Sequence, residues 1–152
     1  SDAYVNRGLA NYRLVKYFAA IEDYDKALEI DPRNVEAWNY RGGAKIKVWD
    51  YEGAIRDQDQ ALAINPEFMR TYITRSIAQF ELGNEEFAFN DLNYAIKLEP
   101  EHPHPYYFRG LGKWNNEDAE GACKDWERSV ELGDEGDAME MLNKHCNISG
   151  DQ

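Results

Sequence analysis

Residues 35–66 read VEAWNYRGGAKIKVWDYEGAIRDQDQALAINP, and the same pattern of residue types recurs on both sides of them at a fixed spacing. Pro66 has counterparts 34 residues away in either direction, Pro32 and Pro100. With Pro66 as position 32 of a 34-residue repeat, the repeats begin at Ser1, Val35, Met69 and Pro103, and no gap is needed. Position 4 is then Tyr4, Trp38, Tyr72 and Tyr106, and position 8 is Gly8, Gly42, Ser76 and Gly110. Position 20 is Ala20, Ala54, Ala88 and Ala122, while position 27 is Ala27, Ala61, Ala95 and Ser129. Agreement at so many columns identifies an internal repeat, which has to be read before any single element.

Each repeat carries two helical patterns, over positions 2–14 and 18–31. Apolar residues fall at i, i+3, i+4 and i+7, as in Ala20, Ile21, Tyr24, Ala27 and Leu28. The Asp-Pro, Asn-Pro and Glu-Pro pairs at positions 31–32 stop the second helix. Proline has no N–H for the ladder and pushes the residue before it out of the α region. Small residues at positions 8, 20 and 27 let helix axes approach closely, and the aromatic at position 4 fills the space between them. One such hairpin cannot bury its own apolar face, so neighbouring repeats must stack.

The aromatic-4, Gly-8, Ala-20, Ala-27, Pro-32 set resembles the tetratricopeptide repeat (TPR) family over residues 1–136. The resemblance implies an all-α solenoid of four helix-turn-helix repeats, 1–34, 35–68, 69–102 and 103–136, wound as a right-handed superhelix with its first helices lining a concave groove. The fourth repeat has Asp134 where the others have proline, and Ala138, Met141 and Leu142 continue the helical spacing. A capping helix is therefore expected over 137–146, completing a single domain 1–146, with 147–152 as a polar tail. Two columns depart from the family. Position 7, usually Leu, is Arg7, Arg41, Arg75 and Arg109, and position 24, usually a large aromatic, is Gln58 and Leu92 in the second and third repeats.

Composition narrows the partners. The 152 residues include 17 Lys and Arg against 29 Asp and Glu, for a net charge of −12. That balance speaks against nucleic acid and anionic membrane surfaces, both of which need clustered cations. The longest apolar run, Tyr17 to Ile21, is five residues, against ~20 for a membrane span. At 43% hydrophobic and 13% aromatic residues, the chain is too apolar for intrinsic disorder.

Catalytic constellations are missing. His102 and His104 flank Pro103 in a linker and read as solvated loop residues, since no Cys/His spacing of zinc type accompanies them. Gly42-Gly43 falls inside a helix pattern and lacks the strand context of a phosphate loop. Asn147-Ile148-Ser149 matches a glycosylation acceptor but reads as coincidence in so short a pattern. No metal, cofactor or enzyme activity is expected.

The family's chaperone carboxylate clamp can be tested by position. Its lysines, asparagines and arginine would fall on Val5, Leu9, Tyr40, Arg70 and Thr74, of which only Arg70 supplies a cation. That ligand mode is not expected here. The remaining groove positions are apolar and aromatic. They comprise Val5, Leu9, Tyr12, Asn39, Tyr40, Lys47, Arg70, Ile73, Thr74, Phe80, Tyr107, Phe108, Leu111 and Trp114. Either they form an exposed stripe that binds a peptide or partner protein, or many of them pack between helices. The expected function is thus a non-catalytic protein-interaction scaffold. The alternatives are a structural fragment of a longer array, which the absence of a cap before the first repeat favours, or an accessory domain of a larger protein.

Two internal pairings are also expected. Position 23 is Asp23, Asp57, Asp91 and Asp125, so a ladder of Arg–Asp pairs with position 7 would satisfy arginines on an otherwise apolar face. Cys123 occupies an apolar column and reads as a buried thiol, but an antiparallel cap turning near 133–136 would also set it level with Cys146. A disulfide there would stabilise by ~3 kcal/mol in the chain-entropy model and would point to an exported protein, whereas free thiols would suit the cytoplasm.

Overall fold

A computed structural model describes residues 1–146. Among these residues the chain forms nine helices: α1 (Asp2–Arg13), α2 (Tyr17–Ile30), α3 (Val35–Lys47), α4 (Tyr51–Ile64), α5 (Met69–Glu81), α6 (Glu85–Leu98), α7 (Pro103–Asn115), α8 (Ala119–Glu131) and α9 (Asp137–His145). These are four helical pairs in the 34-residue register, followed by the cap helix. The polar tail and the glycosylation triplet lie outside the described residues. The chain divides into two compact units, Ser1–Asn84 and the part from Glu85 onward.

Helix ends follow the turn chemistry. Asn34, Asp50 and Asp118 cap α3, α4 and α8 by accepting from the N–H of Ala37, Gly53 and Gly121, satisfying donors that a first turn leaves open. After α2 and α4, the Asp31 and Asn65 side chains accept from the backbone N–H two residues on, around the prolines. The residue at position 15, between the helices of each pair, takes a left-handed backbone: Val15 (φ 61°), Trp49 (φ 62°), Gly83 (φ 75°) and Glu117 (φ 63°).

Packing follows the columns. Ala20, Ala54, Ala88 and Ala122, with Ala27, Ala61 and Ala95, are all fully buried. In the first unit Val5, Tyr24 and Leu28 join Ala37 and Ala44 in one core, with Leu9, Tyr12 and Tyr40 packed against it. In the second, Trp126 joins Ala122 and Ala138, with Tyr107, Leu111, Trp114 and Leu142 against it. Position 8 must be small because position 24 lies over it. A Cβ on Gly8 would sit 2.6 Å from the Tyr24 ring, and one on Gly110 would sit 2.5 Å from Trp126 Nε1.

Three rungs of the Arg–Asp ladder lie within the units. Arg7 donates through Nε to Asp23 at 2.9 Å, Arg41 to Asp57 at 2.8 Å, and Arg109 to Asp125 at 2.8 Å. Arginines of this column also reach back sixteen residues into the preceding repeat. Arg41, Arg75 and Arg109 donate through Nη1 to Asp25, Asp59 and Asn93 at 2.6, 2.7 and 2.7 Å. Each guanidinium lies over the position-4 ring of its own repeat, 4.6 Å from the ring centre for Arg41 and Trp38. Trp38, Tyr72 and Tyr106 in turn donate to the carbonyls of Pro32, Pro66 and Pro100. Stacking of repeats is therefore fixed by directional bonds as well as by apolar burial.

Hydrogen bonds from Arg7 hold the Asp23 carboxyl below the usual carboxylate range, with its partial burial acting in the opposite direction. A depressed folded-state value means that this stabilisation is complete above the unfolded value, ~4, and is lost as pH falls through the folded one. Urea unfolding of the wild type and Asp23→Asn between pH 7 and 2 should show the largest difference at neutral pH. The two curves should converge at the acid end.

Cys123 and Cys146 are joined by a disulfide with a Cα separation of 5.8 Å, tying α8 to the end of the cap.

Candidate functional site

The first helices of the first unit enclose a recess of about 360 Å³ lined by Leu9, Tyr12, Arg13, Tyr24, Asn39, Tyr40, Gly43 and Thr74. Its lining is mostly aromatic and aliphatic, with polar groups at its edge, the usual make-up of a binding recess. α1 supplies Leu9, Tyr12 and Arg13, one turn apart on the same face, and α3 supplies Asn39, Tyr40 and Gly43. Gly43 would meet no atom within 4 Å if it carried a Cβ, so the recess is open at that point. Asn39 is held from behind: its Oδ1 accepts from Thr74 Oγ1 at 3.1 Å.

The floor of the recess is unusual. In the second and fourth repeats the position-24 side chain donates to the carbonyl of position 5, Gln58 Nε2 to Asn39 at 3.2 Å and Trp126 Nε1 to Tyr107 at 3.3 Å. Tyr24 occupies that position in the first repeat and is fully buried, yet its hydroxyl has no hydrogen-bond partner among the described residues. Its ring centre lies 6.0 Å from that of Tyr40. Burial raises the Tyr24 phenol well above its ordinary value, so it stays a neutral donor at any physiological pH. A buried hydroxyl without a partner costs about 1–3 kcal/mol.

The residues of the expected stripe are distributed unevenly. Leu9, Tyr12, Asn39, Tyr40 and Thr74 line this one recess. Val5 and Ile73 are buried in the core, at 5% and 7% exposure. Arg70 is exposed on α5, and Phe80 is half-buried. Lys47 lines a different groove, with Val48 and Trp49. In the second unit Tyr107, Leu111 and Trp114 pack against the Trp126 core, and the Trp114 ring lies 4.3 Å from that of His145 on α9. Phe108 is half-buried beside Tyr107, ring centres 5.1 Å apart. His102 Nδ1 accepts from the backbone of His104 and begins α7. Among the described residues no group of three His, Cys, Asp or Glu side chains could hold a metal. No helix among them is long and apolar enough to cross a membrane.

The family model described as tetratricopeptide repeat matches residues 1–34. A thermophilic TPR protein of Thermus thermophilus, TTC0263, superimposes with a TM-score of 0.86 over 94% of this chain and 81% of its own, at 20% identity. The chain has the tetratricopeptide repeat fold, and its first repeat matches the family model. The first TPR domain of Spaghetti (RPAP3), bound to the HSP90 peptide SRMEEVD, is similar with a TM-score of 0.67 and 25% identity, covering 79% of this TPR chain and 88% of that domain. The second TPR domain of human RPAP3, in complex with the HSP70 peptide SGPTIEEVD, has a TM-score of 0.64 and 27% identity over 67% of this chain and 85% of its own. No curated protein sequence matches this TPR chain.

Proposed function

We propose that this TPR chain is a non-catalytic protein-interaction scaffold that holds a peptide or partner segment against the first-helix face, centred on the recess between α1 and α3. Single TPR domains of similar fold hold short peptides, which supports the interaction class. The observation that carries the site is the Tyr24 hydroxyl, buried without a partner beneath an open aromatic recess. An apolar ligand side chain enters between Tyr12 and Tyr40, and displacement of the Tyr40 ring from over Tyr24 lets a ligand carbonyl accept from its hydroxyl.

Those relatives' peptides end in EEVD, but here the clamp positions carry Val5, Leu9, Tyr40 and Thr74 beside Arg70. A ligand chosen by apolar contact rather than by a terminal carboxylate suits that set. The other groove positions of the first unit that are not buried in its core, Lys47, Arg70 and Phe80, belong to the same proposal as flanking contacts.

Tyr24→Phe tests it with opposite signs. Removing an unsatisfied buried hydroxyl should leave stability unchanged or slightly raised. Peptides selected on the full chain from a random short-peptide library should bind the variant about threefold to tenfold more weakly. Tyr40→Ala should weaken them further. Equal affinity for the wild type and both folded variants would remove the recess as the site.

A further inference from the structure

The turns of the first two repeats carry apolar residues where the later repeats carry glycine or a charged side chain, and they lie side by side. Position 16 is a side-chain cap in the second and fourth repeats, Asp50 and Asp118, but in the first it is Lys16, which makes no such cap. Position 18 is Glu52, Glu86 and Glu120 in the later repeats but Phe18 in the first. Position 15 takes a left-handed backbone throughout and is glycine in the third repeat and Glu117 in the fourth, while the apolar Val15 and Trp49 fill it in the first two. A β-branched residue there is strained, and a missing N-cap costs helix stability. Local sacrifices of this kind concentrate at functional surfaces.

These residues also face solvent. Val15, Phe18 and Trp49 are 68%, 72% and 78% exposed. With Lys16, Lys47 and Val48 they line a groove of about 540 Å³ between the α1–α2 and α3–α4 turns. Its lining includes two lysines and no carboxylate, and Asp50, next to Trp49, is engaged as the cap of α4. No Asp or Glu occurs between Asp2 and Glu22, or between Glu36 and Asp50. Arg41 and Lys45 are neutralised by Asp57, but Lys16 and Lys47, which line the groove, have no ion pair among the described residues. A protein of charge −12 thus presents an apolar groove rimmed by uncompensated cations.

We infer that this groove is a second interaction surface, distinct from the α1–α3 recess, and that it takes an extended peptide segment in which a bulky apolar residue adjoins Asp or Glu side chains. The apolar residue lies between Phe18 and Trp49, and its acidic neighbours meet Lys16 and Lys47. A short segment senses only the charges within about one Debye length, ~8 Å at physiological salt, so the groove's cations dominate. An anionic bilayer, extending far beyond that distance, would meet the acidity of the remaining surface. A second copy of the chain would bring its own large negative charge.

The test again uses the full chain and a random short-peptide library, with Phe18→Glu combined with Trp49→Gly as the variant. Both substitutions install residues that later repeats carry at the same positions, so helicity should be retained. The wild type should enrich peptides in which Trp, Phe or Leu adjoins Asp or Glu. Those peptides should lose at least about tenfold in affinity on the variant and should be indifferent to Tyr24→Phe and Tyr40→Ala. Absence of such a consensus, or equal binding to the variant, overturns the inference. So does variant-sensitive binding to phosphatidylserine vesicles, which would assign the groove to a bilayer, or variant-sensitive dimerisation, which would assign it to a second copy.

Discussion

Trp126→Ala should lower the stability of the second unit by about 4 kcal/mol, the range found when a fully buried large aromatic is truncated. The ring is fully buried, and its centre lies 5.9 Å from that of Trp114 and 6.0 Å from His145. Gly110 leaves no Cβ that could move in to fill the void. The Nε1–H bond to the Tyr107 carbonyl is lost as well. Urea unfolding followed by circular dichroism measures the change directly. A cost below ~1 kcal/mol would show that the unit can close around the gap, against the close packing that interiors usually have.

Asp57→Ala should cost about 3–5 kcal/mol, because it breaks a buried charge cluster by removing one partner. Asp57 is only 3% exposed and accepts from Arg41 at 2.7 and 2.8 Å, with Lys45 Nζ at 2.9 Å. Without it, two half-buried cations face each other, and Arg41 keeps only Asp25. Adding Arg41→Met to Asp57→Ala should recover part of the loss, since an apolar side chain needs no acceptor. If the double variant is as unstable as the sum of the two single variants, the cluster is not a coupled unit. The comparison belongs at moderate salt, where exposed pairs such as Lys124–Glu120 contribute little.

Different physical signals set how far each of these features could be read from the sequence. Columns of identical residue type at a 34-residue period revealed the helical pairs, because each column meets the same neighbour in every repeat. The pairing of positions 7 and 23 was readable for that reason. The second acceptor of each arginine was present as Asp25, Asp59 and Asn93, but only a search at minus sixteen residues, across the repeat boundary, would have shown it. Trp114 fell on the expected groove stripe by position. The structure turns it toward Trp126 and His145, a choice made by α9 and invisible in the period of α7. The Tyr24 hydroxyl was likewise hidden, since whether position 24 reaches a carbonyl depends on side-chain length in three dimensions. Val15 and Trp49 sit in turns where helical periodicity carries no information.

The arginine that donates sixteen residues forward and sixteen residues back also sets a length quantum for the chain. A copy of residues 35–68 inserted after residue 68 would find Asp59 behind its own arginine and would offer its position-25 aspartate to Arg75. Both arginine bonds across the junction are regenerated by whole-repeat duplication. An insertion of any other length in a helix shifts donor and acceptor out of step and strands a buried carboxylate. Growth of this array by tandem duplication is therefore chemically silent, while growth by single residues is confined to the turns.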